Sequence, residues 1–288
     1  MLYGDQNIRD EIMNDAMEIA GEHEFQLVFA AVQGSISRGI NRKESDYDIR
    51  FLYKKESMPF IDRERKYREC ESVVRYYPQG NKIYDKIAFW DVETFVSLLI
   101  NPQLDDKGVS VGLYNQFFWT FSSPFTWDPF GLAGKLLPLA NGVINKQWMF
   151  EYCCQYISER NVGDRMPLRD YIYIIAAIWQ MDWLMDIGTF PPLWLDSLKV
   201  INDDSFIRQI YEEFVQRLRQ SDRDGGTRKR KGKLLVDRNE YLDKWVQNKI
   251  LLNKNRILKE GKTIQFGNEK VIESINAILH NAFQMDTQ

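Results

Sequence analysis

Residues 46 to 53 alternate between apolar side chains and a set that is charged at three of its four positions, and this pattern constrains the fold more than any other feature. Successive side chains of a β-strand point to opposite faces of the sheet. The segment therefore predicts a strand with one face packed on a core and the other presenting charge. One set is Asp46, Asp48, Arg50 and Leu52, and the set that alternates with it is Tyr47, Ile49, Phe51 and Tyr53.

The segments before this strand predict a helix, a second strand and a loop. Apolar residues at helical spacing predict an amphipathic helix over residues 6–22. The short apolar run from Phe25 to Val32 ends in Gln33-Gly34-Ser35, which predicts a buried strand followed by a tight turn. Residues 36–45 are polar and basic, and we expect them to form a loop.

The remaining patterns predict a hairpin and then a series of helices. Residues 71–77 and 82–90 flank Pro-Gln-Gly-Asn, and Asp91 is placed to cap a helix that ends near Asn101-Pro102. Beyond about residue 130 the patterns are helical, at 167–187, 203–220, 238–258 and 268–284. The prediction is an α+β protein, with a small mixed sheet under helical cover in residues 1–125 and a mainly α-helical lobe in residues 126–288.

Composition narrows the class of protein. Hydrophobic residues make up 44% and charged residues 27%, as in soluble globular proteins, and no apolar run is long enough to span a bilayer. Three cysteines (Cys70, Cys153 and Cys154) and two histidines offer no His/Cys metal spacing. A reducing cytoplasm fits this content best, with the cysteines as packing residues.

Residues 217–238 carry nine Lys and Arg against three Asp, an excess of six positive charges in a chain of net charge −3. Such an excess can bind a phosphate backbone by charge alone, and it is equally typical of a solvated loop.

Asp46 and Asp48 are the candidate metal ligands. On a strand these two residues share a face, ~7 Å apart along the chain. Two carboxylates on one face can bridge paired divalent ions for in-line phosphoryl displacement. Mg²⁺ prefers a few carboxylates together with substrate phosphates, and it requires no histidine.

Gly34 and Ser35 are the candidate holders of such a phosphate. Glycine lets the backbone approach a triphosphate, whose oxygens can accept hydrogen bonds from the amides and from the Ser35 hydroxyl. Four basic residues could also bind phosphate or neutralise a leaving pyrophosphate: Arg38, Arg42, Lys43 and Arg50. An isolated Asp-x-Asp usually carries no function. A functional role is favoured here because Gly34-Ser35 precedes Asp46 with ten residues between them.

The stretch GSISRGINRKESDYDIRFLY resembles the RNA-repair-pathway polymerase beta family of predicted nucleotidyltransferases, within the DNA polymerase beta superfamily. The resemblance extends to Phe89-Trp90-Asp91-Val92 and to RDYIYIIAAIWQMDWLMDIGTFPP, although Ile174 to Ala177 replace an arginine and a proline usual in the family. It implies transfer of NMP from an NTP such as ATP to an acceptor hydroxyl, with Mg²⁺ or Mn²⁺ as cofactor. The acceptor it favours is an RNA end, extended without a template. The charge of residues 217–238 makes that stretch the candidate RNA-binding segment.

The superfamily also uses a third acid on a neighbouring strand, as metal ligand and proton acceptor. The resemblance places it at Asp85 or Asp91, which share a face of one alternating run. We favour Asp85, because Asp91 has a competing role as a helix cap.

Other readings of the chain remain open. Within the enzyme class, the acceptor could instead be a protein hydroxyl or a small molecule. Outside it, the chain could be an inactive nucleotide- or RNA-binding relative, or an adaptor that docks partners on its helical lobe. Tyr171 and Tyr173 could line a pocket, but aromatics in apolar helices are mostly core residues, and Trp179, Trp183 and Trp194 are interpreted in the same way.

Overall fold

The structure, a computed structural model, describes residues 6–42, 45–55, 59–60, 72–77, 84, 86–100, 104–105, 108–109, 111–161, 163–201, 204–220, 234–260 and 269–284. These residues form two compact units. The first comprises Met1–Ser37, Asp46–Val143 and Gln265–Gln288, and the second comprises Arg38–Ser45 and Ile144–Ile264.

The described part of the chain contains helices, short and long strands, and one 3-10 helix. In chain order the first elements are α1 (Gln6–Glu22), β1 (Gln26–Gln33), α2 (Gly34–Ser37), β2 (Asp48–Lys54), β3 (Ser72–Tyr76), β4 (Lys86–Asp91), α3 (Val92–Ser97), β5 (Leu104–Asp105), β6 (Gly108–Val109), α4 (Val111–Phe121), β7 (Thr126–Trp127) and α5 (Leu132–Gly142). They are followed by α6 (Lys146–Arg160), β8 (Arg165–Pro167), α7 (Leu168–Asp186), a 3-10 helix (Leu195–Ile201), α8 (Ser205–Gln220), β9 (Leu235–Asp237), α9 (Glu240–Glu260) and α10 (Glu269–Gln284).

The first unit is built on a five-stranded mixed sheet in the order β3-β4-β2-β1-β7. β2 and β4 run parallel, and the other neighbouring strands run antiparallel. The predicted helix over residues 6–22 is present as α1, and its apolar side packs on the sheet through Ile12, Ala16, Ile19 and Ala20. The predicted α+β class with a small mixed sheet is therefore confirmed.

The alternation that predicts β2 is present in the burial of its first residues and ends at Leu52, which is buried although it shares a face with Asp48 and Arg50. Tyr47 and Ile49 are buried, whereas Asp46 and Asp48 are exposed. The hydrogen-bonded strand begins only at Asp48, so Asp46 lies in the connection that precedes it. The predicted hairpin is also present, since β3 and β4 pair antiparallel; the residues of its turn lie outside the described part of the chain.

The second unit is a helical assembly around α7, against which α6, α8, α9 and the 3-10 helix pack. Tyr171 and Trp179 are fully buried in its core, as expected for aromatics in an apolar helix. Two buried polar side chains, Asp182 and Asn253, lie within this unit: the Asp182 carboxylate accepts hydrogen bonds from Asn253 Nδ2 at 2.9 Å and from Lys249 Nζ at 2.8 Å.

The loop of residues 38–45 also belongs to the second unit, where Ile40 is part of the core. The Arg38 carbonyl accepts a hydrogen bond from the Leu195 amide, and the Gly39 carbonyl accepts one from Arg219 Nη2 at 2.8 Å. Gly39 has φ +73°, and a Cβ on it would lie 2.8 Å from Trp194 Cε2. Only glycine fits this close approach without strain.

The compact units divide the chain at positions other than 125/126. Helices α5 and α10 belong to the first unit, and the loop of residues 38–45 belongs to the second. The assignment of a catalytic domain to residues 1–125 and of an acceptor-binding lobe to residues 126–288 stays a prediction. Among the described residues, no helix is both long enough and apolar enough to cross a membrane.

Candidate active site

The candidate site is built where β1 and β2 meet. The antiparallel register places Gln33 opposite Asp48, so Gly34 follows directly beside this carboxylate. Gly34 has φ +70°, and a Cβ on it would lie 3.4 Å from Asp48 Cβ and 3.7 Å from Asp48 Oδ2. A Cβ would make only ordinary contact there, so the positive φ is what favours glycine beside this candidate metal ligand.

The backbone after β1 forms a single helical turn, α2, rather than the tight turn expected from the sequence. The buried Ser37 hydroxyl closes this turn by donating to the Gly34 carbonyl at 3.1 Å. Gly34 and Ser35 are half-buried. Sequence reasoning missed Ser37. Its position three residues after Gly34 could have indicated this hydrogen bond, because a serine hydroxyl often donates to the carbonyl three residues earlier.

The two candidate metal ligands, Asp46 and Asp48, are exposed on either side of the buried Tyr47. The donors are hard carboxylate oxygens, and their exposure leaves room for the water and phosphate ligands that Mg²⁺ retains. This donor set fits a magnesium ion that two side chains and a substrate phosphate would hold together. No group of three His, Cys, Asp or Glu side chains able to hold a metal occurs among the described residues.

Asp91 is remote from this end of the sheet. The parallel register pairs Tyr53 with Asp91, five residues along β2 from Asp48 and about 17 Å away. The Asp91 carboxylate also caps α3, accepting hydrogen bonds from the Thr94 amide at 2.9 Å and from the Thr94 hydroxyl at 3.0 Å. The geometry therefore argues against Asp91 as the third acid. Asp85 lies outside the described residues, and its role stays a prediction.

Arg50 lies two residues after Asp48 and is half-buried. Its guanidinium lies 4.8 Å from the centroid of the Trp90 ring and donates to Gln116 Oε1 on α4. The Gln33 side chain, also buried, donates to the Thr120 hydroxyl on the same helix. Helix α4 thus contributes polar groups next to β1 and β2 that sequence reasoning did not find, because nothing in the pattern of residues 111–121 links them to these strands.

The other predicted phosphate-binding residues are placed differently. Arg38 lies in the second unit with its guanidinium 4.9 Å from the centroid of the Tyr173 ring. The Arg42 amide donates to the Ser45 hydroxyl at 2.8 Å, which closes a turn. Lys43 lies outside the described residues, so a phosphate-binding role for these three residues stays a prediction.

Most of the predicted RNA-binding stretch, residues 221–233, also lies outside the described residues. Its described arginines take part in contacts within the second unit. Arg217 pairs with Glu213 at 3.4 Å, Arg219 donates to Gly39, and Arg238 pairs with Asp243 at 2.8 Å.

The adjacent cysteines are free thiols, and Cys153 is buried. Burial raises the pKa of Cys153 to about 12 and the pKa of Cys154 to about 11. A thiol that stays protonated is a poor nucleophile. Both cysteines therefore fit the packing role expected from the sequence.

The candidate site lies within a segment that matches a known family. Residues 8–104, which include both acids and the Gly34-Ser35 turn, match the sequence model of the RNA repair pathway DNA polymerase beta family, as the motifs indicate. This is a family of polymerase beta-type nucleotidyltransferases. The chain is also similar to the uncharacterized protein YcgL of Bacillus subtilis (strain 168), with 22% identity over 96% of this chain and 97% of that protein.

Proposed function

We propose, from the family match over residues 8–104, that this protein is a metal-dependent nucleotidyltransferase that transfers NMP from an NTP to an acceptor hydroxyl. The observation that carries the proposal is the short distance between Gly34 and Asp48: a Cβ built on Gly34 would lie within 4 Å of the Asp48 side chain. That arrangement places a backbone able to approach phosphate beside an exposed carboxylate.

In the proposed reaction the acceptor oxygen forms a bond to the α-phosphorus of the NTP. The bond from that phosphorus to the oxygen bridging to the β-phosphorus breaks, pyrophosphate leaves, and the acceptor proton passes to a carboxylate that we assign to Asp85. Asp46 and Asp48 would hold magnesium, which would neutralise phosphate charge. Gly34 and Ser35 position the triphosphate, and positioning with charge neutralisation accounts for most of the rate enhancement.

We propose an RNA end as the acceptor, in keeping with the name of the matching family. The excess of six positive charges over residues 217–238 supports this choice, because cationic surfaces bind nucleic-acid phosphates without regard to sequence. Extension without a template requires only backbone contacts and stacking. The setting that we propose is the reducing cytoplasm that suits free thiols.

The test measures transfer of label from each α-labelled NTP, with magnesium, into RNA and into the protein itself. Asp46→Asn and Asp48→Asn should each abolish labelling while the melting temperature stays unchanged. Asp10→Asn is the matched control, since it removes an equal charge from an exposed position of α1 in the same unit and should leave transfer intact.

Three other results would redirect the assignment. Label on the protein would identify a protein hydroxyl as the acceptor, which is the alternative that the sequence leaves open. NTP binding without transfer to either acceptor would identify an inactive relative. Full transfer by Asp46→Asn would refute the metal-ligand assignment.

A further inference from the structure

Three arginines and three tyrosines gather in the second unit, in what we name the arginine–tyrosine cluster: Arg38, Arg160, Arg169, Tyr152, Tyr156 and Tyr173. They come from the loop of residues 38–45, from α6 and from the beginning of α7. Three sequence-distant segments thus place their cationic and aromatic side chains at one location.

The guanidinium groups lie over the tyrosine rings. The Arg160 guanidinium is 3.4 Å from the centroid of the Tyr156 ring, and those of Arg38 and Arg169 are 4.9 Å and 5.4 Å from the Tyr173 centroid. Arg169 also donates to the Tyr173 hydroxyl, from Nε at 3.2 Å and from Nη2 at 3.0 Å. The Tyr156 and Tyr173 rings therefore contact all three guanidinium groups.

The tyrosines do not neutralise these cations. Burial raises the pKa of Tyr152 and of Tyr156, against the opposing effect of Arg38, so both hydroxyls stay uncharged at neutral pH. The cluster consequently contains three formal positive charges, and any balancing negative charge must come from carboxylates.

Two carboxylates lie near Arg160 in the described part of the chain. Arg160 lies 3.8 Å from Glu159 and 4.0 Å from Asp170, at the outer limit of an ion pair. Arg169 is exposed, and its hydrogen bonds within the described part of the chain go to the Tyr173 hydroxyl rather than to a carboxylate. The five donors of a guanidinium suit bidentate pairing with phosphate, so Arg169 retains capacity for an anion.

We propose that the arginine–tyrosine cluster binds the single-stranded RNA acceptor, with Arg169 and Arg160 contacting its phosphates. This inference rests on the proposed function and adds the surface that binds the acceptor. The guanidinium planes of Arg160 and Arg169 can stack on bases as well as supply charge for phosphates, and this combination is typical of single-stranded RNA recognition. An acidic polypeptide would use only the charge, which is why we favour RNA.

The experiment measures the binding of a fluorescent single-stranded RNA to the full chain by anisotropy, in EDTA and without NTP, over a series of salt concentrations. Arg169→Gln and Arg160→Gln should each weaken binding about threefold or more and reduce the slope of log K against log salt by about 0.7. Arg165→Gln is the matched control: Arg165 is exposed in the same unit but pairs with Asp237 at 3.1 Å, and we expect wild-type binding.

Several outcomes would overturn this proposal. Equal losses in Arg169→Gln and Arg165→Gln would show that net charge, and not the cluster, governs binding. Unchanged binding in both Arg169→Gln and Arg160→Gln would exclude the cluster, and competition by poly-glutamate as strong as that by RNA would assign the surface to an acidic protein. Asp46→Asn should bind RNA normally, so a failure of catalysis is distinguishable from a failure of this surface.

Discussion

Gly34 and Asp48 lie side by side at adjoining ends of two antiparallel strands, so close that a Cβ on Gly34 would stand 3.4 Å from the Asp48 Cβ. The two residues are fourteen positions apart in sequence, yet the register of β1 and β2 makes them neighbours. Their proximity joins the two parts of the predicted site, the phosphate holder and the metal ligand.

Gly34→Ala tests this relationship. The new methyl group would stand against Asp48, and φ +70° would strain an alanine by roughly 1–3 kcal/mol. We expect kcat/KM for the NTP to fall about tenfold or more. Gly21→Ala is the control, because nothing lies within 4 Å of a Cβ at Gly21, and it should keep wild-type activity. Wild-type activity in Gly34→Ala would show that the close approach is not used.

The third acid can be identified by comparing Asp85→Asn with Asp91→Ala. Asp91→Ala removes a helix cap from α3, so we expect the free energy of unfolding to fall by about 1 kcal/mol while kcat changes little. Asp85→Asn should abolish transfer without changing NTP binding. Denaturant titration and single-turnover transfer measure the two effects, and a loss of transfer confined to Asp91→Ala would reverse the assignment.

Gly39→Ala should destabilise the second unit. Its Cβ would overlap Trp194 and its φ is +73°, so we expect a loss of about 2 kcal/mol in the free energy of unfolding. Trp194→Leu made together with Gly39→Ala should recover part of this loss, since the smaller side chain removes the overlap. Urea titration followed by tryptophan fluorescence and circular dichroism measures both variants. A stability equal to wild type in Gly39→Ala would show that the loop packs differently.

Alkaline pH should weaken the fold through Cys153. The folded protein holds the pKa of this thiol at about 12, whereas a thiol in an unfolded chain ionises near pH 8.5. The stability that the protonated thiol contributes is therefore fully present below about pH 8.5 and is lost as pH rises toward 12. As pH rises across this range, the free energy of unfolding should fall more steeply for the wild type than for Cys153→Ser. Parallel curves for the two proteins would contradict the raised pKa.

Local patterns in the sequence determined where a strand and a helix form and which of their faces is buried. The alternation of residues 46–53 predicted the burial of Tyr47, Ile49, Phe51 and Tyr53 but not that of Leu52, and the helical spacing of residues 6–22 predicted α1 to its ends. The motif of Gly34, Ser35, Asp46 and Asp48 indicated the family. These features could be predicted because burial of one face of a strand or helix requires a repeat that is visible in neighbouring residues.

Tertiary structure alone decided which distant segments meet. The loop of residues 38–45 packs into the helical unit, so that Arg38 lies against Tyr173 on α7. The parallel pairing of β2 with β4 places Asp91 far from Asp48, and helix α4 brings Gln116 to Arg50. None of these contacts has a local signature, because each depends on strand register and side-chain packing between segments that are far apart in the chain.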